Sequence, residues 1–230
     1  MRQKITCFLP CRKGSERVPR KNIMPFAGRP KGLIQVKLFQ LLSCQLIDEI
    51  VLTTNDEEIV EYANGLKQKR IIIHCREESL SSSDTSTDQL VSHALSLIPE
   101  GHILWTHVTS PFITGIHYSK IIRKYFEMLQ AGYDSLMTTT PLRSFLWING
   151  KPINYDSKFE KWPRTQTLTP VQEVNSGVFI ASACIYKNEN DRIGSAPYLY
   201  EMDKLISHDI DWPEDFLIAE CLVEKKLLAL

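Results

Sequence analysis

Through the first part of the chain, short unbroken runs of apolar and β-branched residues alternate with stretches whose apolar positions recur at helical spacing. The first pattern is that of a strand buried on both faces, the second that of an amphipathic helix. Strands are predicted at Ile5 to Leu9, Glu49 to Thr54, Ile71 to His74, Ile103 to Val108 and Ser135 to Thr139. Helices are predicted at Leu33 to Leu42, Glu57 to Leu66 behind an Asn55-Asp56 cap, Thr85 to Leu97 behind Asp84, and Tyr118 to Leu129 after the Ser110-Pro111 turn. Such alternation builds βαβ units, so the expected class is α/β with a mostly parallel sheet flanked by helices.

After Pro141 the pattern changes. Phe145 to Ile148, Asn149-Gly150 and Lys151 to Ile153 read as a β-hairpin, because Asn-Gly is a preferred two-residue turn between antiparallel strands. Its aromatic residues suit either a contact with a second copy of the chain or a rim on the same core. The chain then returns to strand at Val174 to Ala181 and closes with a helix from Pro213 to Leu228. With 230 residues and 43% hydrophobic content, one domain over 1–230 is expected, carrying an inserted arm at about 141–170.

Composition narrows the function classes. Lys+Arg and Asp+Glu both number 27, so no global field attracts nucleic acid or a membrane surface, and any anion site must be local. No apolar run has the length of a membrane span, and no export signal precedes the first strand, so a cytoplasmic protein is expected. The six cysteines, Cys7, Cys11, Cys44, Cys75, Cys184 and Cys221, form no C-x-x-C pair and are expected as reduced thiols.

Between Leu9 and Asn22, directly after the first strand, the chain carries Arg12, Lys13, Arg17, Arg20 and Lys21 around Gly14. Ligands of open parallel sheets bind beyond the carboxyl ends of the strands, where this loop must sit. Gly14 lets successive N–H groups turn toward an anion, and Arg12 and Lys21 supply the charge a triphosphate requires. The segment has neither GxxxxGK[ST] nor GxGxxG. A solvated basic loop is the plain alternative, and the placement after the first strand weighs against it.

These residues resemble the N-terminal signature of the acylneuraminate cytidylyltransferases, the CMP-sialic acid synthetases, Pro-Ala-Arg-x-Gly-Ser-x-Arg-x-Pro-x-Lys-Asn. Pro10, Arg12, Gly14, Ser15, Arg17, Pro19, Lys21 and Asn22 match, with Cys11 in place of the small residue. The resemblance implies a Rossmann-like nucleotidyltransferase fold with a dimerising insertion, and an enzyme that transfers CMP from CTP to an acidic sugar of the sialic or nonulosonic type. It implies that Arg12 and Lys21 contact the phosphates, that Ser15 and Asn22 contact phosphate or nucleoside, and that Arg76 and Ser83 border the nucleotide pocket.

Near the C-terminus, Asp209-Ile210-Asp211 places two carboxylates on one face of an extended segment, with Ile210 turned to the core. Such a pair suits Mg²⁺ shared with phosphate oxygens. A helix cap formed by Asp211 with Glu214 is the structural alternative, and it leaves Asp209 unexplained. The resembled family carries the same Asp-x-Asp as its metal site, with Asp211 taking part in catalysis beside Arg12 and Lys21.

For the acceptor, Pro163-Arg164-Thr165-Gln166 resembles the family's Pro-Arg-Gln-Gln, which implies that Arg164 grips a carboxylate through its planar guanidinium. Asn175 and the His107-Val108-Thr109-Ser110-Pro111 segment fall where the family binds its sugar. Here His107 stands for glutamine, Ile113 for arginine and Glu173 for arginine, so the acceptor is the less determined half. A cytidylyltransferase for a Kdo-like sugar or a phosphonate is the neighbouring expectation, and a non-catalytic nucleotide-binding module the more distant one.

Overall fold

The computed structural model describes residues 3–82 and 84–230. Its strands are β1 (Ile5–Pro10), β2 (Glu49–Thr54), β3 (Ile71–Cys75), β4 (His102–Thr106), β5 (Ser135–Leu142), β6 (Trp147–Ile148), β7 (Lys151–Pro152), β8 (Val171–Ser182) and β9 (Pro197–Glu201). Its helices are α1 (Gly32–Ser43), α2 (Glu57–Gly65), α3 (Thr87–Leu97), α4 (Gly115–Gln130), α5 (Ala183–Glu189) and α6 (Pro213–Glu224). The main sheet has seven strands in the order β3-β2-β1-β4-β8-β5-β9. All its strands run parallel except β8, which is antiparallel to both neighbours.

That order reverses direction between β1 and β4, since β2 and β3 follow on one side of β1 and the later strands on the other. The loops leaving β1 and β4 therefore part at the carboxyl edge of the sheet and leave a crevice between them. Side-chain alternation builds a layer on each face. Ile5, Cys7 and Leu9 of β1 pack with α1, α2, α4 and α6, whereas Phe8 packs with Trp105, Phe179, α3 and α5. The continuous burial of β1 and β4 is what a central strand covered on both faces requires.

Local chemistry sets the element ends. Asp56 caps α2 by accepting from the Glu58 N–H at 3.1 Å. Asp84 does not cap α3: Ser86 does, exchanging hydrogen bonds with Gln89, so the helix starts at Thr87. In the arm, Asn149 and Gly150 both take positive φ, as expected for the turn joining β6 and β7. Two elements escape the sequence pattern. α5 is only seven residues long, and β9 opens on Pro197, which is tolerated because the strand lies at a sheet edge.

All six cysteines are unpaired, with Cys7, Cys11 and Cys44 buried. No helix among the described residues is long and apolar enough to cross a membrane.

Candidate active site

The basic loop is fixed by its backbone before any ligand is considered. Cys11 N–H donates to the Thr53 carbonyl at 2.9 Å, extending the β1–β2 ladder past its last residue. Lys13 N–H donates to Asn55 Oδ1 at 2.8 Å, and Gly14 takes a φ of +78°, where a side chain would be strained. Asn22 Nδ2 then donates to the Arg12 carbonyl at 2.9 Å, tying the end of the loop to its beginning.

The loop forms one wall of a cleft of about 510 Å³ at the carboxyl ends of β1 and β4. Arg12, Ser15, Arg17, Lys21 and Asn22 line this wall; His107, Thr109, Ser176, Asp209 and Asp211 line the others. Lys21 is nearly buried, donating to the Ile210 carbonyl at 2.6 Å and lying 3.5 Å from Asp211 Oδ1. Arg17 pairs with the same oxygen at 3.0 Å and covers the Trp212 ring. Arg20 turns away to Glu58 on α2. Arg12 is left with no ion-pair partner among the described residues, although it faces an open cleft. Behind it, Arg76 is buried, with Nε and one terminal nitrogen lacking hydrogen-bond partners among the described residues. Burial lowers the Arg76 pKa, and the nearby Arg12 charge adds to that shift while Cys11 opposes it.

Opposite the cations, Ile210 is fully buried and its N–H donates to the Thr109 carbonyl at 2.9 Å, which presents Asp209 and Asp211 to the cleft on either side. The capping alternative for Asp211 does not hold. Asp215 caps α6, its Oδ2 accepting from the N–H groups of Asp211 at 3.1 Å and Trp212 at 2.8 Å, and neither the Asp211 side chain nor Glu214 takes part. The buried Oδ1 of Asp209 has no hydrogen-bond partner among the described residues. Burial raises the Asp209 pKa; Thr109 opposes that shift, the Asp211 charge adds to it, and Lys21 and His208 oppose it. An orphaned carboxylate oxygen beside a second carboxylate fits a hard divalent cation.

His107 accepts a hydrogen bond at Nε2 from Trp105 Nε1 at 3.0 Å. Burial, with the charges of Arg192, Lys37 and Lys21, pushes its pKa down to about 3. The imidazole is therefore neutral and offers Nδ1–H as a donor.

A second hollow of about 390 Å³ opens beside the cleft and shares Ser176, Asp209 and Asp211 with it. Asn175 lines this hollow, but its amide is engaged: Oδ1 accepts from Thr138 Oγ1 at 2.7 Å and Gly177 N–H at 3.1 Å, and Nδ2 donates to Thr140 Oγ1 at 3.1 Å. Those bonds span the register shift between β5 and β8, where Ser176 takes a φ of 56°. Lys204 and Glu173 also line the hollow.

Several expected residues lie elsewhere. Ser110 is fully buried beneath the cleft, Arg164 is exposed on the arm and lines neither hollow, and Ser83 lies outside the described residues. Arg17, Ser176 and Lys204 were given no role from the sequence. Arg17 was visible within the basic motif, whereas Ser176 and Lys204 enter through a strand irregularity and a loop that carry no sequence signal. Another hollow of about 490 Å³ lies at the amino ends of the strands, but its Lys4 and Glu49 are already paired at 2.8 Å.

A family model described as cytidylyltransferase matches residues 6–207. The chain is 27% identical over 227 residues to a pseudaminic acid cytidylyltransferase of Campylobacter jejuni, covering 95% of this chain and 96% of that protein. It is 24% identical over 237 residues to an N-acylneuraminate cytidylyltransferase of Escherichia coli, covering 98% of this chain and 54% of that protein. The fold is also that of a CMP:2-keto-3-deoxy-manno-octonic acid synthetase solved with CTP, at a TM-score of 0.66 and 15% identity, covering 97% of this chain and 99% of that one.

Proposed function

Since the chain belongs to the cytidylyltransferase family, we propose that it transfers CMP from CTP to an acidic sugar of the sialic or nonulosonic type, releasing pyrophosphate and forming a CMP-sugar. The observation that carries this reading is the cleft in which Arg12 and Lys21 oppose Asp209 and Asp211. A hydroxyl of the acceptor, which we take to be the anomeric one, attacks the α-phosphorus of CTP. The new P–O bond forms as the bond to the β-phosphate oxygen breaks, and pyrophosphate leaves.

The protein's part is to position the reactants and neutralise charge. Arg12 has its guanidinium free for a phosphate, and Lys21 is held ready by the Ile210 carbonyl. Ser15, Asn22 and the backbone around Gly14 complete the phosphate wall, and Arg76 adds positive charge behind it. Asp209 and Asp211 are the residues that would hold Mg²⁺, which would neutralise phosphate charge and acidify the attacking hydroxyl. His107 and Thr109 present hydrogen-bonding groups to the larger cleft.

We place the acceptor in the second hollow, with Lys204 as the cation that its own chain offers the carboxylate. Arg164 would meet that carboxylate from the arm of a second copy. Trp147, Phe159 and Trp162, each at least half exposed on this arm, support a homodimer contact there. Exposed thiols at Cys75, Cys184 and Cys221 suit the reducing cytoplasm.

Pyrophosphate release with CTP and a panel of acids tests the reading. Turnover with a nine-carbon acidic sugar is expected. Turnover confined to a Kdo-like sugar or a phosphonate would reassign the acceptor, and CTP binding without turnover on any acid would reduce the protein to a nucleotide-binding module.

A further inference from the structure

Lys37 sits in the middle of the core face of α1, completely buried among Ile34, Leu38 and Leu41, and takes no part in the chemistry above. An ammonium in such a place is costly unless its protons are used. Burial pulls its pKa down to about 7, against the opposing influence of Cys7 and Asp209.

The bonds it makes lead to the active site. Lys37 Nζ donates to the Ser110 carbonyl at 2.8 Å and lies 2.8 Å from the Tyr118 hydroxyl. Tyr118 is linked at 2.9 Å to Thr106 Oγ1, which donates to the Gly177 carbonyl at 2.7 Å. One turn along α1, Gln40 Nε2 donates to the Pro111 carbonyl at 2.6 Å. Two side chains of one helix thus clamp consecutive carbonyls of the segment after β4. On its upper side that segment offers the Thr109 carbonyl at 2.9 Å to the N–H of Ile210, the residue between Asp209 and Asp211.

We propose that Lys37 is a positioning residue for nucleotidyl transfer: by fixing the Ser110 carbonyl it sets Thr109, and through the Thr109 carbonyl bond to Ile210 N–H it holds the adjacent Asp209 carboxylate in the orientation that receives the metal. The inference rests on the reading of Asp209 as a metal ligand. A purely structural lysine would stabilise the α1–α4 packing and leave metal affinity alone.

Lys37→Met keeps the aliphatic stem and removes the donor. Mn²⁺ affinity in the presence of CTP, read from the electron paramagnetic resonance signal of free Mn²⁺, is expected to fall about ten-fold, as for other residues that orient a metal ligand, with CTP KM within about two-fold of wild type. Tyr118→Phe, which leaves the Ser110 contact in place, is expected to keep Mn²⁺ affinity within about two-fold. In an Asp209→Asn background, Lys37→Met is expected to add almost nothing, because residues acting through one another are non-additive. If Lys37→Met does not fold, Gln40→Leu tests the same clamp, with an expected loss of about three-fold in Mn²⁺ affinity.

Unchanged Mn²⁺ affinity in Lys37→Met, or in Gln40→Leu where that variant stands in for it, would overturn the proposal, as would effects that simply add. Asp209→Asn separates the two layers of the argument. If that variant keeps Mn²⁺ affinity, the metal reading itself fails. If it loses affinity while Lys37→Met keeps it, only the role of Lys37 fails.

Discussion

The two hollows at the carboxyl edge of the sheet share Asp209 and Asp211 but are built on different principles. The larger has one wall formed by a contiguous loop whose backbone is tied down and whose Arg12 has no ion-pair partner among the described residues. The smaller is assembled from the β5–β8 irregularity and the segment before α6, and the Asn175 amide that lines it is spent on its own neighbours. A preorganised, unpaired cation is ready for a charged ligand. A hydrogen-bonded amide mainly holds the wall in shape, so on the proposed reading recognition in the smaller hollow falls to groups such as Lys204.

The strongest way to test this contrast is at the shared carboxylates. Asp209→Asn is expected to lower kcat by about 100-fold or more, in the range seen when a preorganised electrostatic group is removed. The same change should stabilise the metal-free protein. Because burial raises the folded-state pKa of Asp209, its contribution to stability is complete below its unfolded pKa and is lost as pH rises through the folded value. A neutral amide avoids that loss, and a Tm increase of about 2–4 °C at neutral pH is expected for roughly 1 kcal/mol. A lower Tm at neutral pH would show that the carboxylate is satisfied within the fold.

Next in size is the nucleotide wall. Arg12→Met should reduce kcat/KM for CTP by about 100-fold, whereas Arg20→Met, which loses only an exposed pair with Glu58, should stay within about two-fold. Similar losses in both would mean that the loop acts through its overall charge.

Smaller effects are expected on the acceptor side. Lys204→Met and Arg164→Met should each raise the acceptor KM by about ten-fold and leave CTP KM unchanged, since each removes one charge-assisted contact. Mixing the Lys204→Met and Arg164→Met variants as subunits should restore part of the acceptor affinity only if Arg164 acts across chains.

The smallest effect concerns His107. Its depressed pKa makes the neutral ring a source of stability that is present above the ordinary value of 6.5 and lost as pH falls toward about 3. His107→Gln should therefore lose less stability between neutral pH and pH of about 4 than wild type does, measured by thermal unfolding.

The contrast also explains what the sequence disclosed. The basic loop is legible because its geometry is local: one strand end, one glycine and a run of cations point to Arg12 and Lys21, and the resemblance of the whole motif adds Ser15 and Asn22. Asp209 and Asp211 were legible for the same reason, as alternate residues of an extended segment around a buried Ile210. Ser176 was not, because its orientation depends on a register shift against β5 that only the folded sheet creates. Ser110 falls by resemblance in the sugar-binding segment, yet it is fully buried and the α1 clamp holds its carbonyl. The helix caps show the same limit. Acidic and hydroxyl side chains cluster around the starts of α3 and α6, and spacing alone pointed to Asp84 for α3 and offered Asp211 as the alternative for α6, where Ser86 and Asp215 form the caps.

A crystal structure of the protein with CTP and magnesium tests the central claim most directly. The account requires the triphosphate in the larger cleft, Arg12 and Lys21 on its oxygens, and a metal held by Asp209 and Asp211. A triphosphate seated elsewhere, or a metal bound without Asp209, would contradict it.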